Sequence, residues 1–299
     1  MTRIGMTLWQ FLWAVFVICQ PLATFSQEMV DPGGNGKIKV FLLAGQSNMD
    51  GRGDGSMLTT NDKARLKAVQ RRVFFAYNRR EIVPLDVTVP QPWIASKFNL
   101  NLTFGPELFF GLSVAEAWPD SEVLLIKRSQ GGTSLYGCWN PDWSEEKAAL
   151  MGEEEQPRLY DDLLKYVDEV LSQYDEDEYE IAGMLWVQGE ADSNVNKYGP
   201  LPAETYGENL RSLIAAIRSN TSIPDLPFFI LQVGNGLVVQ GMKDAADSLK
   251  NVFYIPQSLD TEATNYLPKY GPPVGHYDYE GMKRIGNLFG QEFLSYSAE

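Results

Sequence analysis

Apolar and polar positions along this chain alternate between two periods. Short, mainly apolar runs at Ile38–Leu43, Glu122–Ile126, Ile181–Val187, Phe228–Val233 and Val252–Ile255 have the length and content of buried strands. Val73–Tyr77 and Ile82-Val83 read as shorter strands. Between them, apolar residues recur at helical spacing. Leu108, Leu112 and Ala115 follow the opening Gly105-Pro106-Glu107 and run to Trp118, where Pro119-Asp120 stops the helix. Leu159, Leu163, Val167, Val170 and Leu171 make a second stripe, and Tyr206, Leu210, Leu213, Ile214 and Ile217 a third. Helices are also predicted around Val239–Leu249 and Tyr279–Phe293. This strand–helix alternation, with no internal repeat and no Pro/Ser linker, predicts an α/β domain: one parallel sheet covered on both faces, spanning residues 37–297.

The first 26 residues have a different character. Arg3 supplies a positive start, Met6–Cys19 is apolar apart from Thr7 and Gln10, Pro21 breaks the run, and Thr24-Phe25-Ser26 offers small residues to a signal peptidase. Cleavage after Ser26 and a secreted or periplasmic location are expected. The apolar run is short for a spanning anchor. Residues 27–36, glycine-rich at their end, read as a flexible lead-in. Because Arg3 is the segment's only charged residue, cleavage takes the net charge from −14 to −15. So acidic a surface disfavours nucleic acid and anionic membranes as partners. The acidic runs Glu153–Glu155 and Asp175–Glu178 read as solvated faces or loops. Only Cys138 remains after cleavage, so no intramolecular disulfide supports the fold. The whole chain holds one histidine, His276, which excludes a two-histidine zinc site and leaves one imidazole for any chemistry that needs one.

Four polar loops fall at strand ends or just before the last helix: Gly45-Gln46-Ser47-Asn48-Met49, Gly131-Gly132-Thr133, Gln188-Gly189-Glu190-Ala191-Asp192 and the loop carrying His276. The carboxyl ends of parallel strands share one edge of the sheet, where residues distant in sequence converge. Acyl transfer needs such a set: a hydroxyl, a base to take its proton, a carboxylate to orient the base, and N–H groups for the oxyanion. There is no Gly-x-Ser-x-Gly, which argues against the elbow of α/β-hydrolases. Each residue alone also fits a structural role, as a turn, cap or packed polar group.

These four motifs, in this order, resemble the SGNH-hydrolase superfamily, and within it the sialate O-acetylesterase and acetylxylan esterase branch, carbohydrate esterase family six. The resemblance covers residues 37 to about 290. It implies a three-layer α/β/α fold with a mostly parallel, flavodoxin-like sheet, and a secreted serine esterase that removes O-acetyl groups from carbohydrates through an acetyl-serine intermediate. It implies no metal or organic cofactor and an acetylated carbohydrate as partner. Ser47 is the implied nucleophile and His276 the base. The N–H groups of Ser47 and Gly132 (or Gly131) are the implied oxyanion donors, with Gln188 adding its side-chain amide. Gln46 and Asn48 brace the nucleophile turn and, with Trp139, are the substrate-binding candidates. Many relatives carry an aspartate three residues before the histidine, where this chain has Pro273. Glu190 is therefore the expected third triad member, with Asp278 and Asp260 as rivals. Tyr136, Trp143 and Trp93 fall near the same edge, as sugar platforms or as core. Two other readings remain at this point, a lipase or thioesterase on a related fold and a catalytically silent carbohydrate-binding domain.

Overall fold

The computed structural model describes residues 36–271 and 275–298. The signal segment 1–26, the lead-in up to residue 35 and Pro273 lie outside the described residues. The strands are β1 (Ile38–Gly45), β2 (Gly53–Asp54), β3 (Val73–Tyr77), β4 (Val83–Pro84), β5 (Thr103–Phe104), β6 (Val123–Ser129), β7 (Tyr179–Val187), β8 (Phe228–Leu231) and β9 (Val252–Ile255). The helices are α1 (Ser47–Asp50), α2 (Thr60–Val69), α3 (Pro92–Phe98), α4 (Pro106–Ala117), α5 (Glu145–Met151), α6 (Leu159–Leu171), α7 (Val195–Tyr198), α8 (Leu201–Glu204), α9 (Tyr206–Asn220), α10 (Gly236–Ser248) and α11 (Tyr279–Ser297).

Seven strands form the main sheet in the order β4-β3-β6-β1-β7-β8-β9, and only the β3–β4 pairing is antiparallel. Pro84 sits on that outermost strand, where a missing ladder donor is tolerated. The strand runs are apolar on both sides because both faces are covered. Phe41 of β1 meets Phe110 of α4 and Phe293 of α11 edge-on, with ring centroids 4.9 and 4.7 Å apart. On the opposite face Trp186 of β7 donates its indole N–H to Tyr206 of α9 at 3.3 Å.

The topology also places the site. From β1 the chain moves toward β3 on one side of the sheet, while β7 leads to β8 on the other. Loops leaving neighbouring strands in opposite directions open a crevice at their carboxyl ends. β6, β1 and β7 are neighbours, so the glycine pair, Ser47 and the Gln188–Asp192 loop emerge side by side. Gly45 is required at this point. Its φ is +149° and a Cβ there would lie 2.1 Å from the carbonyl oxygen of Val187.

The hydrophobic pattern does not show α2, α3 and α5. Each is short, and local chemistry holds it. Thr59 and Asp62 cap α2 reciprocally, and Pro92 and a left-handed Asn99 bound α3. Ile94, Phe98 and Leu100 pack with Tyr270 as a small cluster separate from the main core.

Candidate active site

Ser47 is the first residue of α1, directly after the Gly45-Gln46 turn, and is 8% exposed. Its Oγ lies 2.9 Å from Nε2 of His276, which approaches from the loop preceding α11. This is proton-transfer distance. Phe98 packs edge-on against the imidazole, centroids 5.3 Å apart. Among the described residues the backbone N–H groups of Ser47 and Gly132 have no acceptor. Gly131 packs against the serine so closely that a Cβ there would lie 3.4 Å from Ser47 Cβ. A hydroxyl, an imidazole and two uncommitted N–H groups thus share one wall of a cavity of about 410 Å³. That volume is within the range of about 300–1,000 Å³ in which proteins bury small ligands. Trp93, Lys97, Asn194 and Tyr198 line the rest of it.

The three carboxylates considered for His276 are placed differently. Asp278 caps α11, accepting the N–H of Gly281 at 3.0 Å. Asp260 is exposed and accepts the N–H of Glu262 at 3.0 Å. Glu190 lines the cavity, but neither of its oxygens bonds to His276. Oε1 accepts from Asn48 Nδ2 at 2.6 Å, and Oε2 is buried without a partner. Asn48 Oδ1 in turn accepts the N–H of Tyr277 at 3.3 Å. Glu190 therefore reaches the histidine loop through Asn48, one residue beyond the imidazole. Burial pushes its carboxyl up, against the Asn48 hydrogen bond and the positive charge of Lys269. Substitution can separate a direct triad carboxylate from this indirect link. Glu190→Gln keeps an oxygen for Asn48 and is expected to hold kcat within about tenfold of wild type, the scale of one neutral hydrogen bond. Asn48→Ala breaks both ends of the link and is expected to cost more. A loss near 10⁴-fold in Glu190→Gln would instead mark a direct triad partner.

Two sequence-based expectations are corrected by burial. Trp139 is 0% exposed, stacks edge-on against Trp186 and donates its N–H to Thr133 Oγ1 at 3.1 Å. It belongs to the core, and Trp93, 52% exposed on α3, is the tryptophan in the cavity wall. Gln188 is 0% exposed, and its amide donates to Asp192 at 2.6 Å, to the Thr133 carbonyl at 3.1 Å and to Gln46 Oε1 at 3.4 Å. It braces the loops from within and does not face the cavity. Gln46 lines the cavity while its Oε1 also accepts the N–H of Ala191 at 3.2 Å. Glu153, expected in a solvated acidic run, is 4% exposed and holds the loop after the glycines. The sequence offered no signal for α3 as a cavity wall, because its pattern is too short to stand out from a loop.

Comparison with known proteins gives the family and the fold. Residues 37–295 match the family described as carbohydrate esterase, sialic acid-specific acetylesterase. A probable carbohydrate esterase of Arabidopsis thaliana is 25% identical over 272 residues, covering 86% of this chain and 90% of that one. Among solved structures, NanS superposes with a TM-score of 0.58 at 16% identity, covering 87% of this chain and 98% of its own. An Arabidopsis thaliana protein reaches 0.57 at 20% identity, with coverages of 87% and 98%. A carbohydrate acetylesterase from Xanthomonas citri reaches 0.54 at 15% identity, covering 86% of this chain and 57% of that one. Fold and family together define a carbohydrate esterase built on a three-layer α/β/α sandwich. The chain belongs to the family of sialic acid-specific acetylesterases, and its activity is the removal of O-acetyl groups from carbohydrates.

Proposed function

We propose that the reaction is serine esterolysis, carried by Ser47 and His276 in an exported protein. The observation that carries this reading is the 2.9 Å contact between Ser47 Oγ and His276 Nε2, beside two uncommitted backbone N–H groups. His276 takes the hydroxyl proton as Oγ attacks the acetyl carbonyl carbon. The N–H groups of Ser47 and Gly132 receive the negative charge that develops on the carbonyl oxygen. The imidazolium then gives its proton to the departing sugar oxygen, leaving an acetyl group on Ser47. Water attacks that ester, His276 removes its proton, and acetate leaves as the proton returns to Ser47 Oγ. Every step uses groups this chain supplies. Trp93 gives the acetylated sugar a broad apolar face, and Lys97 and Asn194 give it polar partners.

The N-terminal sequence supports export, with the mature chain starting at Gln27. The test is acetate release from acetylated xylan, O-acetylated sialic acid and longer acyl esters, using exported protein whose intact mass is also measured. Wild type is expected to release acetate from at least one of the sugar esters, and Ser47→Ala from none, with the mass of a chain lacking residues 1–26. Equal activity in Ser47→Ala would overturn the mechanism, and a retained leader would overturn the export reading.

A further inference from the structure

We propose that Asp192 is a positioning residue for the oxyanion hole, bracing the Gly131-Gly132 loop against Ser47 through a buried network that Gln188 extends to both oxyanion donors. This inference rests on the serine-esterase reading above.

The chain from Gln130 to Asn140 contains no helix or strand, so its amides have no ladder to join. Five successive N–H groups find side-chain acceptors instead. Ser134 donates to Glu153 Oε1 at 2.7 Å, Leu135 to Asp192 Oδ2 at 2.9 Å and Tyr136 to Asp192 Oδ1 at 2.9 Å. Gly137 donates to Ser134 Oγ at 2.8 Å and Cys138 to Glu153 Oε2 at 2.8 Å. Two carboxylates therefore do for this loop what secondary structure does elsewhere. Hydrogen bonds of this kind are stronger than neutral ones when the acceptor is ionised.

Asp192 is the carboxylate connected to the donors. It is 0% exposed, and Gln188 Nε2, which binds it at 2.6 Å, also reaches the carbonyl of Thr133 and Oε1 of Gln46. Thr133 follows Gly132, and Gln46 precedes Ser47. Tyr206 holds Gln188 from the far side, its hydroxyl donating to the backbone oxygen at 2.6 Å and to Oε1 at 3.2 Å. This cluster ties together the two segments whose N–H groups meet the oxyanion, beside the backbone bond from Gln130 N–H to the Gly45 oxygen at 3.1 Å. A misplacement of about 1 Å in such a site can cost about 100-fold in rate.

The charged or titratable groups facing Asp192 are Glu153 and Tyr206. Burial pushes the Asp192 carboxyl up to about 7, against the hydrogen bonds from Gln188, Leu135 and Tyr136, and Glu153 pushes the same way as burial. Its folded value lies above the ordinary value of about 4 for an aspartate. The native state thus binds the extra proton between about pH 4 and pH 7, and this group's contribution to stability falls as pH rises through that window. The brace works best ionised, so acidification lowers activity without lowering stability through this group.

The test compares full-length wild type with Asp192→Asn. An amide has one acceptor and two donors, so it must turn a donor toward Leu135, Tyr136 or Gln188. The readouts are kcat and KM on 4-nitrophenyl acetate, affinity for a boronic acid that adds to Ser47 Oγ as a tetrahedral anion, and Tm. We expect kcat and boronate affinity to fall together by about 100-fold, with KM within about threefold. The acid limb of the kcat profile flattens between about pH 5 and pH 7. A folded Asp192→Asn protein with wild-type kcat and boronate affinity would overturn the proposal. If that variant does not fold, Gln188→Met keeps the Asp192 bonds to Leu135 and Tyr136 and cuts the side-chain links from Gln188 to Asp192, Thr133, Gln46 and the Tyr206 hydroxyl. It is expected to lose about tenfold in both readouts, and unchanged values in it overturn the proposal equally. A wild-type protein that turns over no ester sinks the esterase reading itself, a different result from an active wild type matched by Asp192→Asn.

Discussion

Replacing His276 with alanine is expected to lower kcat on any acetyl ester by about three to six orders of magnitude, as removal of a general base does in serine hydrolases. The expectation is strong because this chain has no other imidazole. Its Nε2 is 2.9 Å from Ser47 Oγ, and among the described residues no other side chain hydrogen-bonds that hydroxyl. The effect on folding should be small. His276 sits in a partly exposed loop before α11, where its ring meets Phe98 edge-on. A stability loss of about 1 kcal/mol or less is expected, typical of a substitution outside the core. Steady-state kinetics and a thermal melt on the same sample check both halves. A variant with more than a tenth of wild-type kcat would show that the imidazole is not the base.

The largest expected loss of stability lies beneath the nucleophile. Lys127 on β6 is 1% exposed, and its Nζ bonds Glu107 Oε2 at 2.7 Å, with the carbonyls of Asp50 and Met49 at 3.1 and 3.3 Å. The rings of Tyr77 and Phe75 lie over the same ammonium, at 4.4 and 5.1 Å. Burial lowers the Lys127 pKa, and Glu107 opposes that shift. The lysine thus ties the end of the Ser47 helix to the first turn of α4. Among the described residues, Lys127→Met leaves the buried Glu107 carboxylate with only the N–H of Gly105, at 2.8 Å. Breaking such a pair from one side costs about 3–5 kcal/mol. For a chain of this size that lowers Tm by about 6–20 °C. The double variant Lys127→Met/Glu107→Gln should recover part of the loss, because no unpaired charge stays buried. Thermal or urea unfolding of the three proteins tests this, and a double variant less stable than Lys127→Met would refute the ion-pair account. Kcat should fall in Lys127→Met as well, since the carbonyls that close α1 lose their donor.

Much of the architecture was legible because its causes are local or periodic. The central stretches 40–44 of β1, 123–126 of β6 and 184–187 of β7 are apolar at every position, as strands covered on both faces must be. The stripes of α6 and α9 follow a helical period because one side of each is buried. Pro106 and Glu107 mark the start of α4 where the structure begins it. What the pattern missed was short. Helix α3 packs a separate small cluster and depends on Tyr270, 172 positions beyond Phe98, which no local window contains.

The family resemblance pointed to Ser47 as nucleophile; the sequence by itself determined the α/β class, the position of the polar loops at strand ends and before the last helix, and the one imidazole available as a base. These follow from hydrophobic period, turn chemistry and a count. Only the tertiary structure decided which polar groups face the cavity and which serve the fold. Trp139 and Gln188 lie close to the site in sequence yet are sealed inside it, whereas Trp93 reaches the cavity from a helix that hydropathy does not reveal. Glu190 was placed beside the site, but its partner proved to be Asn48. The physical reason is that a side chain's role depends on direction and burial. Both are set by neighbours brought together across 50 to 230 positions, and no run of residues encodes them locally.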